Sequence, residues 1–427
     1  MAASCAMRQH SPPVDRSLQP RTQAGRQYVA LCEMHQTDFA TRADVHDRDA
    51  TFPVENVDDM KASGAMAACV PKELGGLGVR SLHDLATGIN RLGRGDGSTA
   101  IAVAMHLSAT FNSARSWYEA AAAGDTATAE RVAFMLRAVA DSSLVVCLLG
   151  TETGAMSFYC ESELSPAEGG YVLNGHKIFS TLSPVADVLL VLARIRRPEG
   201  DRLALAPILT GAPGVEPRDD WDAMGMRASG SQSIVFRDVF VAGGSEIDMG
   251  PWGGPSAGGL VGQTAGAHTL SAAFLGIAEA AHEVAVRMVR TRQKTPSTGP
   301  LAERAAVQRV VADSEIDLVS CRGTLERSAA LADGLVFEVD GGFPPIDELH
   351  RLMAEAQAMK MHVQLRAVEV VDRALTLSGG SGYMSASPLS RYYRDVRAGP
   401  FMQQYSPIEA YEYIGKVALG LDPRLDL

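Results

Sequence analysis

Apolar residues change their spacing twice along the chain, and the changes divide it into three parts. From residue 27 to about 137 they recur at helical intervals, interrupted at 49–53 and at Val70-Pro71-Lys72-Glu73-Leu74-Gly75-Gly76-Leu77-Gly78. The second interruption is proline-led and glycine-rich, so no helix runs through it. Near residue 141 the pattern turns to short Val, Leu and Ile runs at 144–149, 170–175, 186–195, 203–210 and 233–241, which predict strands. Asn174-Gly175, flanked by Tyr171-Val172-Leu173 and His176-Lys177-Ile178-Phe179, predicts a tight hairpin, because both central residues tolerate positive φ.

Helical spacing returns after a glycine-rich linker at 243–259. Leu270, Phe274, Ile277, Ala281, Val284 and Met288 stack on one helix face. Val307, Val311, Ser314, Leu318, Cys321 and Leu325 repeat the pattern, and so do Leu349, Leu352, Ala356, Met359, Val363, Val370 and Ala374. With a shorter helix from about Glu409 to Leu419, they predict a four-helix bundle. The expected architecture is α+β and multidomain: a disordered tail at 1–26, an N-terminal helical domain at 27–140, a central β-barrel at 141–245 and a C-terminal helical bundle at 260–427.

Composition narrows the function classes. The 427 residues carry 39 Lys+Arg against 50 Asp+Glu, a net charge of −11, with no long basic run, which argues against a nucleic-acid surface. Six scattered cysteines without a C-x-x-C pair fit reduced thiols in a cytoplasm, and no histidine pattern indicates a metal. The longest apolar stretch, 258–281, is interrupted by Gln263, Thr264, His268 and Glu279, so no membrane insertion is expected.

Several motifs, taken in order, resemble the acyl-CoA dehydrogenase superfamily of flavoproteins. Thr151-Glu152-Thr153-Gly154-Ala155-Met156-Ser157 is similar to its T-E-P-x-x-G-S loop, with Thr153 and Met156 departing from the usual Pro and Gly. Leu173-Asn174-Gly175-His176-Lys177-Ile178-Phe179-Ser180-Thr181 resembles its L-N-G-x-K-x-[WF]-I-T segment, and Trp221-Asp222-Ala223-Met224-Gly225-Met226-Arg227 its closing strands. Arg290–Gln293 with Gln308 is similar to the R-x-x-F-G segment and its downstream Gln, and Thr376-Leu377-Ser378-Gly379-Gly380-Ser381-Gly382-Tyr383 resembles Q-x-x-G-G-x-G-Y.

The resemblance implies an FAD, with FMN as the other option, between the β domain and the bundle. It places Leu148, Thr151, Ser157, Phe179, Ser180, Thr181 and Tyr405 at the flavin, and Ser157 and Gln404 also toward substrate. It assigns Arg292, Gln308, Thr376, Gly379 and Gly380 to phosphate contacts reaching a neighbouring subunit, hence a homodimer or homotetramer. A guanidinium suits that task because its fork bonds two phosphate oxygens at once.

One position departs from the family's chemistry. Removing an α-proton from an acyl thioester needs a carboxylate, and the main branch supplies a Glu eight residues after its Arg-Asp pair. Counting from Asp395 gives Gln403, an amide that cannot take that proton. A minority position on the helix entering the bundle matches Gly266, and no acid occurs from 250 to 278. Glu409 is the alternative base, with Glu412 and His268 behind it. Three functions are compatible with this pattern. The first is α,β-dehydrogenation of an acyl thioester, on CoA or a carrier protein, by a relocated base, with an electron-transfer partner. The second is a monooxygenase on the same fold, in which a flavin reductase and O2 take part. The third is a non-catalytic acyl- or flavin-binding paralogue.

Overall fold

The computed structural model describes residues 16–142, 144–156, 158–296, 299–339, 341–402 and 405–424. The N-terminal domain is α1 (Gln23–Asp49), α2 (Val54–Ala62), α3 (Leu82–Gly95), α4 (Gly97–Ala123) and α5 (Thr126–Ser142). The interruptions fall where the sequence puts them: Ala50 ends α1 at φ 52, and Gly75 and Gly78 take φ 96 and 73 around a short 3₁₀ turn. Asp96 starts α4 by accepting the amides of Ser98 and Thr99. Residues 1–15 lie outside the described part, but 16–26, expected in the tail, are packed. Leu18 is buried, Arg91 donates to its carbonyl at 2.6 Å, and Asp84 accepts the amides of Arg21 and Thr22 at 2.7 and 2.9 Å. A buried carboxylate and a buried guanidinium need these partners, so they order the segment.

The middle domain has β1 (Val146–Leu149), β2 (Glu163–Ala167), β3 (Gly170–Ser180), β4 (Val188–Ile195), β5 (Arg202–Leu209), β6 (Val215–Pro217), β7 (Gln232–Ala242) and β8 (Ile247–Pro251). The sheet order is β6-β7-β3-β2-β4-β5-β8, with β1 parallel to β4. Cys147, Leu164, Leu173, Val191, Ala206 and Phe236, from six strands, meet in one core, which requires the sheet to curl. Among the described residues no hydrogen-bonded pairing joins β6 to β8, so the middle domain is a curled sheet with these two strands at its edges.

The hairpin at Asn174-Gly175 is a correction. Both residues lie inside β3, and the reversal occurs at Glu168-Gly169, where Gly169 takes φ 75. The glycine is needed for space: a Cβ on Gly175 would stand 2.1 Å from Ser162 Oγ. Asn174 serves a bulge against β7, accepting the Asp238 amide at 2.9 Å. The glycine-rich linker also contains β8, whose turn-like composition hides its pairing with β5.

The C-terminal domain is α6 (Ala257–Thr291), α7 (Ala305–Ala332), α8 (Ile346–Ser378), α9 (Pro388–Val396) and α10 (Pro407–Leu419). α6 packs on α3, α4, α7, α8 and α9 and is the axis of the molecule. It is the one described helix long and apolar enough to cross a membrane, yet 83% of that window is buried inside the protein, as a core helix requires.

Two buried histidines lock packing contacts in their neutral forms, one between the N-terminal and middle domains and one between α6 and α7. His106 Nδ1 accepts the Val146 amide and Nε2 donates to the Met66 carbonyl, both at 3.0 Å, tying α4 to β1. His268 donates to the Thr264 carbonyl at 2.7 Å and accepts from Ser328 Oγ at 2.9 Å. Burial pushes each down from 6.5 to about 4. The unfolded chain therefore binds protons that the folded chain refuses, so stability present above pH 6.5 is lost as pH falls toward 4. The loss is at most about 3 kcal/mol per histidine. Thermal unfolding should show Tm falling through that window, with a shallower fall in a His106→Gln/His268→Gln variant. An unchanged slope in the variant would assign acid sensitivity elsewhere.

Candidate functional site

The ends of β1 and β3 and the loop after β1 form one cluster. Cys147 Sγ donates to the Thr181 carbonyl at 3.0 Å and the Ile178 amide donates to the Thr151 carbonyl at 3.0 Å, so Leu148, Thr151, Phe179, Ser180 and Thr181 come together. Leu148 is the one exposed position in an otherwise buried strand. On β3, strict alternation would put Phe179 on the buried side with Lys177. Phe179 instead takes φ 54 and turns its ring outward, 57% exposed, edge-on to Trp221 at 5.9 Å. A left-handed conformation costs a bulky residue roughly 1–2 kcal/mol, and such strain concentrates at functional positions. Leu182 and Met226, in the adjoining segments, also have positive φ.

Beside the exposed ring lies a row of hydroxyls. Thr181 Oγ1 is 2.8 Å from Ser231 Oγ, which is 2.7 Å from Ser229 Oγ. Ser180 Oγ is buried with no hydrogen-bond partner. An aromatic shelf, an unpaired hydroxyl and a hydroxyl row match an isoalloxazine, which needs an apolar surface for its face and alternating donors and acceptors for its edge. The residues present fit a flavin.

A buried ion pair fixes this cluster. Glu152, in the loop after β1, receives the Lys177 ammonium on one carboxylate oxygen, which also accepts the Ser162 amide at 3.0 Å; its other oxygen accepts the Glu161 amide. Burial raises the carboxyl, but Lys177 and these donors outweigh it and hold Glu152 below its ordinary value. The sequence signal for the pair is two charges set among apolar and hydroxyl residues of two quoted motifs.

The second predicted group lies around the end of α6. Arg292 follows that helix and its guanidinium donates to the Ser378 carbonyl at 3.3 Å and to Ser381 Oγ, bracing the turn that contains Gly379 and Gly380. Thr376, Gly379 and Gly380 are exposed, and Gln308 donates to the Ala302 carbonyl at 3.1 Å. No hydrogen bond or ion pair among the described residues joins this group to the Phe179 cluster.

Of the predicted catalytic and substrate positions, Gln403, Gln404 and Ser157 lie outside the described residues. Tyr405 is buried, its ring 5.2 Å from that of Tyr413, and its carbonyl accepts the buried Lys360 ammonium at 2.6 Å. Burial pulls Lys360 down to about 8, with Glu409 opposing. Glu409 itself caps α10, accepting the Ser406 amide at 2.6 Å. Glu412 pairs with Lys416 at 2.8 Å, and His268 is sealed as described. Met156, Phe158, Tyr159, His350, Tyr405 and Tyr413 line an aromatic pocket between the β1 loop, α8 and α10.

The chain matches the acyl-CoA dehydrogenase N-terminal domain over residues 29–116, the middle domain over 147–239 and the C-terminal domain over 268–407. It is 37% identical to L-evernosamine nitrososynthase of a Micromonospora species, over 94% of this chain and 92% of that protein. Amino sugar nitrososynthase DnmZ of Streptomyces peucetius is 32% identical, over 94% and 95%. Among solved structures, KijD3 in complex with FMN and dTDP-3-amino-2,3,6-trideoxy-4-keto-3-methyl-D-glucose has a TM-score of 0.86 at 32% identity, over 95% of this chain and 96% of that one.

Proposed function

Since the chain belongs to the acyl-CoA dehydrogenase family and is a flavin-dependent oxidoreductase, we propose that it oxidises the amino group of a nucleotide-linked amino sugar with O2. The observation that carries this is its identity to amino sugar nitrososynthases along nearly the whole chain. Gln403 agrees with it, because amine oxygenation needs no carboxylate to remove a carbon-bound α-proton. When bound and reduced, the flavin supplies two electrons and activates O2. This chain's part is to hold the flavin edge on Thr181 and Ser231, cover its face with Phe179 and exclude water around the sugar. The amine becomes a hydroxylamine and water forms from the second oxygen atom; a second round gives the nitroso product. Each round consumes one O2, two electrons and two protons, supplied through a separate flavin reductase.

Acyl-thioester dehydrogenation, placed first on sequence, is less well supported. Glu409 is committed to its helix cap and Glu412 to Lys416. The non-catalytic alternative does not survive, since the protein is an enzyme. A homo-oligomer in which Arg292 and the Gly379-Gly380 turn reach a neighbour's flavin phosphate is part of the proposal.

The deciding experiment gives the reconstituted enzyme a reductase, ¹⁸O2 and dTDP-amino sugars, with mass spectrometry of the product. Label on nitrogen is expected. In parallel, acyl-CoAs of increasing length are added without oxygen, to wild type and Gln403→Glu. No bleaching of the flavin is expected in either, and rapid bleaching of the wild type would restore the dehydrogenase.

A further inference from the structure

Along the seam between α4 and α6, one helix lacks side chains where the other offers polar ones. Ser108 Oγ of α4 is 3.1 Å from Thr269 Oγ1 of α6. One turn further along α4, Asn112 Nδ2 would stand 4.0 Å from a Cβ on Gly262, and no other atom comes as near to that point. Beyond it, the Arg115 guanidinium lies over the Phe343 ring at 3.9 Å, and the same ring would be 3.8 Å from a Cβ on Gly258. Ser108, Asn112 and Arg115 share one face of α4, and Thr269, Gly262 and Gly258 share one face of α6, so the helices pass antiparallel with these faces opposed.

The paired hydroxyls close the inner end of the seam, and the glycines leave its outer end open. Burial follows the same line: from Gly259 to His282 every residue of α6 is buried except Gly262, which is half-buried. Solvent thus reaches that stretch of the central helix at one position, opposite Asn112. The opening also adjoins the flavin cluster. A Cβ on Gly259 would meet Phe158 at 3.4 Å, in the loop after β1 that carries Thr151.

Beside the opening stands a cation with an edge to spare. The Arg115 side chain is 10% exposed, and Nη1 donates to Glu119 Oε2 at 2.9 Å. Its buried Nε has no partner, and among the described residues nothing accepts from Nη2. Burial lowers its pKa, and Glu119 offsets only part of that effect. A buried guanidinium short of acceptors marks a place for a ligand. The Nε–Nη2 edge is the fork that bonds two phosphate oxygens at once. Gly258 lies in the first turn of α6, where the positive end of the helix dipole also favours an anion.

We propose that the opening between Arg115 and Gly262 is the diphosphate subsite for the nucleotide-linked substrate. The Nε–Nη2 edge of Arg115 bonds phosphate oxygens, and the bare backbone at Gly258 and Gly262 makes the room. The proposal rests on the amino-sugar reading above and adds the residue that holds the nucleotide. Arg115 binds substrate and touches no reacting atom.

The test measures binding of dTDP and of a dTDP-amino sugar to flavin-loaded enzyme by titration calorimetry, in wild type, Arg115→Met, Arg115→Lys and Gly262→Leu. Leucine at 262 fills the opening, keeps the Arg115–Glu119 pair and suits a helix better than glycine, so it serves if Arg115→Met does not fold. Both ligands are expected to lose roughly tenfold or more in affinity in Arg115→Met and Gly262→Leu. Arg115→Lys keeps the charge without the fork and should lose less. KM should rise while kcat, flavin affinity and Tm stay close to wild type. Unchanged affinity for dTDP in both Arg115→Met and Gly262→Leu would overturn the subsite and leave the amino-sugar reading standing. Loss of flavin with dTDP binding kept would assign the Arg115 edge to the cofactor instead, and parallel losses of dTDP, flavin and Tm would show it to be a brace for the segment at Phe343. A wild type that binds neither dTDP nor the amino sugar would remove the amino-sugar reading, and the subsite with it.

Discussion

Lys177→Met is expected to cost roughly 3–5 kcal/mol of stability and to release the flavin, because it leaves the Glu152 carboxylate buried without its cation. Lys177 is fully buried and Glu152 nearly so, and the pair joins the loop carrying Thr151 to the strand that carries Phe179 and Ser180 and leads into Thr181. The effect should therefore appear twice, as a lower urea midpoint and as weaker flavin binding by fluorescence titration. A Glu152→Gln/Lys177→Met double variant removes the unpaired charge and should recover much of the stability. It should recover less of the flavin affinity, since an amide and a thioether do not restore the geometry. A single variant as stable as wild type, with flavin retained, would show that the ammonium does not hold this loop in place.

The three-part architecture was legible because each part has its own period. A helix buried along one face and a strand buried on one side leave different spacings, and the breaks at Ala50 and at Gly75 and Gly78 stand where proline and positive φ demand them. What stayed hidden depended on contacts distant in sequence. Asn174-Gly175 has the composition of a turn, but Gly175 is glycine because Ser162 presses on it and Asn174 is there for Asp238, sixty-four residues away. β8 was lost in a glycine-rich stretch because its pairing comes from β5. The site divides in the same way. A motif alone nominates Phe179 and Thr181, whereas the outward turn of the Phe179 ring is a backbone property that no periodicity announces. Glu409 looked free because a cap glutamate and a catalytic one are alike in sequence, and only the Ser406 contact separates them.

Arg391→Met should weaken flavin binding from a distance, and more so at alkaline pH. Arg391 lies buried among three carboxylates: it donates to Asp44 Oδ1 at 2.9 Å and stands 3.8 Å from Asp96 and 3.9 Å from Asp395. Burial pushes Asp395 up to about 7, although Arg391 pulls the other way. Asp395 in turn accepts the Met226 amide at 2.6 Å, and the Met226 carbonyl accepts the indole of Trp221, whose ring braces Phe179. Without the guanidinium, Asp395 binds its proton more tightly and the folded pKa rises further above the unfolded value. A group raised in this way contributes stability at low pH that is lost as pH climbs through its folded pKa. The variant should therefore hold its flavin comparatively well near pH 6 and lose it by pH 8, where the unpaired charges in the cluster press on the 221–231 segment. The total loss at pH 8 should reach roughly 3 kcal/mol, as for breaking other buried pairs. Arg391→Lys keeps the charge but not the fork, and should fall between the two. Flavin dissociation constants measured across that range decide it. A variant whose affinity is unchanged, or falls equally at both ends of the range, would break the proposed link from α9 through Met226 and Trp221 to the flavin face.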